Sequence, residues 1–142
     1  MARKLLERFP GARVVGVDPA PGMVEQAARA GGGAEFLVAP AERLPFDDRA
    51  FDVVVSTFSF HHWADHGSAL AEVRRVLRDR GAFAASDAFP FGVYRVIRVF
   101  RHGRVRPVDE MRTLLADAGF VRWRRVPVPG MRGVVAVVLA TR

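Results

Sequence analysis

The run Arg13–Met23, RVVGVDPAPGM, restricts the fold more than any other stretch of the chain. Val14-Val15-Gly16-Val17 is an unbroken, β-branched apolar run, which suits a parallel strand covered on both faces. It ends on the carboxylate Asp18, and Pro19 and Pro21 stop the strand. Pro21 and Gly22 stand where a helix can begin. In doubly wound α/β folds ligands bind outside the carboxyl ends of the strands. An acid at that place can accept both hydroxyl protons of a ribose through charge-assisted hydrogen bonds. It can equally cap the helix that follows, and the residues alone leave both roles open.

The rest of the chain alternates helices and strands without an internal repeat. Ala2, Leu5, Leu6 and Phe9 share one helical face, and Gly11 follows as a C-cap. After the Val14–Asp18 strand, a helix is predicted over about Gly22–Ala30, burying Met23, Val24 and Ala27. Gly31-Gly32-Gly33 follows a helix, where a phosphate-binding loop would follow a strand, so it reads as a turn. Glu35–Ala39 is the next strand, and Pro40–Phe46 (PAERLPF) is a loop beside the same sheet edge as Asp18. Phe51–Thr57 (FDVVVST) is the clearest strand, with Val53, Val54 and Val55 expected in the core. Asp65 or Ser68 caps a helix reaching Arg78, with Leu70, Val73, Val76 and Leu77 inward, and Ala82–Ser86 is a strand ending at Asp87. Strands alternating with helices through short links predict βαβ units and a mainly parallel sheet.

Three further elements close the chain. Gly92–His102 has Val93, Val96, Ile97 and Phe100 on one helical face and Arg95, Arg98 and Arg101 on the other, which suits a helix docked on its own domain or one lying on an anionic surface. Val108–Ala118 is a helix with Met111, Leu114, Leu115 and Ala118 inward and Gly119 after it. Val121–Val128 and Val134–Thr141 are strands, and the turn-rich link between them predicts antiparallel pairing.

Composition sets the outer limits. A chain of 142 residues with half of them hydrophobic can bury a sizeable core, and no apolar run reaches the length of a membrane span. Without cysteine there is no disulfide, thiolate nucleophile or cysteine-ligated metal. A cytoplasmic location is expected, since the N-terminus lacks the continuous apolar core of a signal peptide. The net charge of +7 would suit nucleic acid or a membrane surface, but every one of the 22 basic residues except Lys4 is arginine. With abundant Ala, Gly and Val, that points to coding bias, and nucleic acid is not the expected partner. A basic module using Arg95, Arg98, Arg101, Arg104 and Arg106 with Arg122, Arg124 and Arg125 would show itself by steep salt dependence.

Three segments in order, VVGVDPAPGMVEQA, AERLPFDDRAFDVVVSTFSFHHW and LAEVRRVLRDRGAFAASD, resemble the class I S-adenosylmethionine-dependent methyltransferases that act on small molecules. Within these the chain is similar to the methyltransferase type 11 group that includes quinone-biosynthesis enzymes, from about Leu5 to Ala140. The resemblance implies an α/β Rossmann-like sheet over residues 1–142, mostly parallel with an antiparallel C-terminal hairpin. It implies S-adenosylmethionine as cofactor and a small-molecule methyl acceptor. Asp18 would hold the ribose hydroxyls, with Pro19 and Met23 near the adenine. Ala41 would offer its N–H to the adenine ring, with Glu42 beside it, and Thr57 and Phe58 would line the passage where methyl group and acceptor meet. His61 and His62 are the candidates for a general base, although adjacent histidines at a strand-to-helix turn also serve to pack or cap. No third ligand accompanies them, so no metal site is expected.

Two departures from the family pattern stand out. Pro40 occupies a position often acidic in the family, leaving the adenine amino group without a side-chain acceptor there. The family's first strand and glycine-rich loop should precede Asp18 by roughly 20 residues, and no GxGxG occurs in the chain. The chain therefore reads as a methyltransferase domain truncated at its N-terminus, beginning at its first helix. A non-catalytic methyltransferase-like binding protein is the alternative, and a second copy of the chain could complete the sheet as a homodimer.

Overall fold

The computed structural model describes residues 1–30, 32–88, 108–127 and 135–141. Helix α1 (Ala2–Arg8) leads into strand β1 (Val15–Asp18), helix α2 (Pro21–Ala30) and strand β2 (Glu35–Val38). Strand β3 (Phe51–Thr57) follows, then one helical turn at Phe60–His62, helix α3 (His66–Val76) and strand β4 (Leu77–Ala88). Helix α4 (Val108–Asp117) and strands β5 (Arg122–Pro127) and β6 (Val135–Thr141) complete it. These bounds fall within one or two residues of those predicted, except for β4. That strand begins at Leu77 rather than Ala82, because α3 unwinds directly into it without a loop. The basic amphipathic segment Gly92–His102 lies outside the described residues.

Local chemistry accounts for the ends. Asp65 caps α3, its carboxylate accepting from the Gly67 N–H at 2.9 Å and the Ser68 hydroxyl at 2.7 Å. The Ser68 hydroxyl, then the Gly67 and Ser68 amides, hold the Asp65 carboxyl below its ordinary value. Gly32 and Gly33 turn between α2 and β2 with φ of +58° and +100°, as a post-helical turn requires. Gly81 allows a close backbone approach, since a Cβ there would lie 2.8 Å from the Arg78 carbonyl oxygen and 3.2 Å from that of Asp52.

The strands form two sheets. β1 and β2 pair in parallel, Val15 opposite Glu35 and Asp18 opposite Val38. The second sheet has the order β3-β4-β6-β5. β3 and β4 are parallel, with an irregularity between Phe51 and Val53, whereas β6 runs antiparallel to both β4 and β5. Parallel pairing in the first half and an antiparallel end is the predicted pattern. β1 and β2 finish together at Asp18 and Val38, and β3 and β4 run side by side to Thr57 and Ser86, just before Asp87.

The core lies on one side of the second sheet. Leu70, Val73 and Leu77 interlock with Phe83, Ala85, Met111, Leu115, Phe120 and Ala140, with Phe60 closing one end. Helices α3 and α4 supply its apolar stripe, as their spacing predicted.

Two core expectations fail. Val53 and Val55 are 55% and 40% exposed, and Val54 is half-buried. The reason is topological, since among the described residues β3 is the edge of its sheet and pairs only with β4. Helix α2 has no buried residue, and Met23 is 53% exposed. It packs against β1 and β2, and two four-residue strands give Val24 and Ala27 only partial cover. Leu70→Ala should therefore destabilise the chain by roughly 2–5 kcal/mol in urea unfolding. Val53→Thr should stay within about 0.5 kcal/mol, and a loss as large as that of Leu70→Ala would contradict the edge position.

Candidate functional site

The first part of the site is the end of β1. Asp18 turns the chain by accepting the Ala20 N–H on Oδ1 at 2.9 Å, an Asx-type turn that fixes the entry into α2. Its Oδ2 has no partner among the described residues. Both readings of this acid are thus compatible, because the turn occupies one oxygen and leaves the other. Pro19 and Met23 are exposed beside it.

The backbone oxygen of Asp18 accepts the Ala39 N–H at 3.1 Å, bringing the loop after β2 to the same strand end. Two residues further on, the half-buried Ala41 has an N–H that meets no acceptor among the described residues. A free donor is thereby held close in sequence to the contact with Asp18. Pro40, between them, is exposed.

A polar clamp holds this loop in place. Glu42 Oε1 accepts the backbone N–H groups of Ala64 at 2.7 Å and Asp65 at 3.0 Å, fastening the loop to the start of α3. Glu72 Oε2 accepts the Leu44 N–H at 2.8 Å and pairs with Arg75 through both carboxylate oxygens, at 2.7 and 2.9 Å. Arg75 also donates to the carbonyl oxygens of Leu44 and Phe46 and to Asp48, at 3.1, 2.7 and 2.9 Å. Its planar fork suits this many-sided role, which a lysine could not fill. Hydrogen bonding from Arg75 holds the Glu72 carboxyl below its ordinary value, and Glu72, then Asp48, hold the Arg75 guanidinium above its own. Sequence reasoning missed Glu72 and Arg75 as site-building residues, because on a helix they read as solvated charge. The Glu42 carboxylate, placed beside the adenine by resemblance, has one oxygen engaged in this clamp.

The third part follows β3. Thr57 is half-buried, and Phe58 is exposed with φ of +52°, a left-handed conformation that a bulky residue adopts at a cost of about 1–2 kcal/mol. Its N–H donates to the Ser86 carbonyl oxygen at 2.8 Å, and the hydroxyls of Ser56 and Ser59 meet at 2.9 Å. The turn is then pinned by Asp87, which is 1% exposed. Asp87 Oδ2 accepts the His61 N–H at 3.0 Å, and Oδ1 meets His61 Nδ1 at 2.8 Å. The rings of His61 and His62 lie 3.9 Å apart between centroids. Sequence placed Asp87 at a strand end but gave it no partner, since the pair is separated by 26 residues. No cluster of three His, Asp or Glu side chains able to hold a metal occurs among the described residues.

Comparison with known proteins identifies the family and the fold. Residues 1–85 match the family described as a methyltransferase domain. A malonyl-[acyl-carrier protein] O-methyltransferase from Geobacter sulfurreducens is 40% identical over 84% of this chain and 51% of its own length. A demethylmenaquinone methyltransferase from Thermus thermophilus is 44% identical over 68% of the chain and 48% of its own. The chain thus spans about half the length of the curated relatives it matches. A crystal structure of a S-adenosylmethionine-dependent methyltransferase from Thermotoga maritima, described as a possible histamine N-methyltransferase, superposes with a TM-score of 0.76. It is 22% identical, covering 90% of this chain and 72% of that one, and shows the shared fold.

Because Glu72 is held below its ordinary value, its contribution to stability is complete above about pH 4.5 and is lost as pH falls through the lowered value. Glu72→Gln should lower stability at pH 7 and flatten the fall below pH 4.5, measured by urea unfolding at each pH. An unchanged acid slope would contradict the clamp.

Proposed function

The chain belongs to the methyltransferase-domain family, and from that premise we propose that it binds S-adenosylmethionine at the carboxyl ends of its parallel strands and transfers a methyl group to a small-molecule acceptor. The observation that carries this is the juxtaposition at β1, where a half-occupied carboxylate sits beside a loop with an unused N–H. The free Oδ2 of Asp18 suits ribose hydroxyls, and the Ala41 N–H suits an adenine ring nitrogen. Pro19 and Met23 supply exposed apolar surface next to both.

When bound, S-adenosylmethionine would supply an activated methyl group, with Asp18 and Ala41 holding its adenosine part. The chain's own task is then positioning, which is worth up to about 7–11 kcal/mol of barrier in favourable cases. The clamp on the Ala39–Asp48 loop fixes the adenosine end. Thr57, Phe58 and the histidine turn, fixed by Ser86 and Asp87, border the acceptor side.

The relative named for demethylmenaquinone supports a small-molecule acceptor, and the malonyl-[acyl-carrier protein] of the other's name is a small acyl group carried on a protein. No helix among the described residues is long and apolar enough to cross a membrane. A cytoplasmic setting fits the cofactor, and the open edge of β3 fits pairing with a second copy. Residues 1–142 are read as one methyltransferase-like domain.

Calorimetric titration with S-adenosylmethionine and S-adenosylhomocysteine tests this reading. Asp18→Ala should weaken both by at least about tenfold, since one hydrogen bond to a charged group is worth roughly 1.5–3 kcal/mol. Equal affinity in the variant, or no binding by the folded chain, would contradict it.

A further inference from the structure

We infer that the open face of the β3-β4-β6-β5 sheet is a docking surface for an amphipathic helix of a partner protein, one whose apolar stripe is bordered by carboxylates. The inference is independent of the methyl-transfer reading, because this surface is the broad side of the sheet and not its strand ends.

Strand register defines the face. Val53 stands beside Ala82, Ala82 beside Thr141, and Thr141 beside Arg122. Two residues further along, on the same face, the row is Val55, Ala84, Leu139 and Arg124. Every residue of the two rows is exposed or half-buried. The alternate residues Val54, Phe83, Ala85 and Ala140 belong to the core on the other side, with the side chains of α3 and α4. Sheets with parallel strands are ordinarily covered on both faces, and a continuous apolar surface left open marks an interaction site.

Shape selects a helix as the occupant. Ala82 and Ala84 end at Cβ, so the middle of the face is lower than its flanks at Val53, Val55 and Leu139. The apolar ridge of a helix fits such a trough, which is how helices cover sheets. A lipid surface is instead entered by side chains that project. Charge selects the border of that helix. Arg122 and Arg124 close the trough on the β5 side, where with Leu139 and Thr141 they line a groove of about 610 Å³. Neither arginine has an acidic partner among the described residues, and a guanidinium beside an apolar patch suits a carboxylate in bidentate pairing. A second copy would bring a net charge of +7 to the same arginines, which makes it the poorer occupant.

Fluorescence anisotropy of labelled peptides titrated with the full chain tests this. Two helical peptides of about 18 residues, long enough to cross the sheet, share a stripe of leucine and alanine. They differ only along its border, which is glutamate in one and lysine in the other. The glutamate peptide should bind at least about tenfold more tightly, because like charges opposed across an interface are costly. Val55→Asp should weaken its binding by about tenfold, since it puts a charge into the apolar trough. Arg124→Glu should reverse the preference, so that the lysine peptide binds better. Both positions are exposed, and urea unfolding like that of wild type confirms that each variant is folded.

Equal affinity for the two peptides, or a preference that Arg124→Glu leaves unchanged, would overturn the inference. So would failure of both peptides to bind, including the case in which the chain binds phosphatidylglycerol vesicles instead. A dimer of the chain whose formation excludes the glutamate peptide would make a second copy the occupant, and would overturn it equally.

Discussion

The pairing of Glu72 with Arg75 is the interaction on which the rest depends. Among the described residues the two sheets share no strand ladder, so β1 and β2 are held to the larger sheet through the loop after β2. Glu72 and Arg75, on one face of α3, grip that loop by the Leu44 N–H and by the carbonyl oxygens of Leu44 and Phe46. Backbone groups that would otherwise need water find partners there. The same grip sets where Ala41 stands relative to Asp18.

The second half of the site follows a similar logic with a different acid. Asp87 ends β4 and holds the turn that ends β3, so parallel neighbours present their carboxyl-terminal residues together. The left-handed Phe58 is the local strain in this arrangement, and the hydrogen bond from its N–H to Ser86 helps to hold it. The buried Asp87 and the part-buried Glu72 fix the scaffold, while Asp18 and His61 keep one polar atom each unengaged among the described residues. That division between fastening groups and available groups is what a binding site requires of a rigid frame.

Much of this was legible in the sequence, for identifiable reasons. Helical spacing and apolar runs located the helices and strands, apart from the early start of β4 and the helical turn at Phe60–His62, and Asp18 and Asp87 announced themselves as acids at strand ends. Leu70, Val73 and Leu77 read correctly as core because helical spacing reports a face directly. Val53 and Val55 read incorrectly, because an apolar strand does not reveal which neighbours flank it. Met23 failed for the same reason, since the cover for α2 comes from only two short strands. Glu42, Glu72 and Arg75 were illegible as a clamp, and His61 gave no sign of Asp87. Such partners lie some 20 to 30 residues apart, and only the fold brings them together.

The most direct measurement of whether these strand ends form one cofactor site is amide NMR during titration with S-adenosylhomocysteine. The amides of Asp18, Met23, Ala41 and Thr57 should shift together and saturate at a single concentration. Shifts confined to the β5 arginines, or none at Asp18 and Ala41, would contradict a site built at the carboxyl ends of β1, β2 and β3.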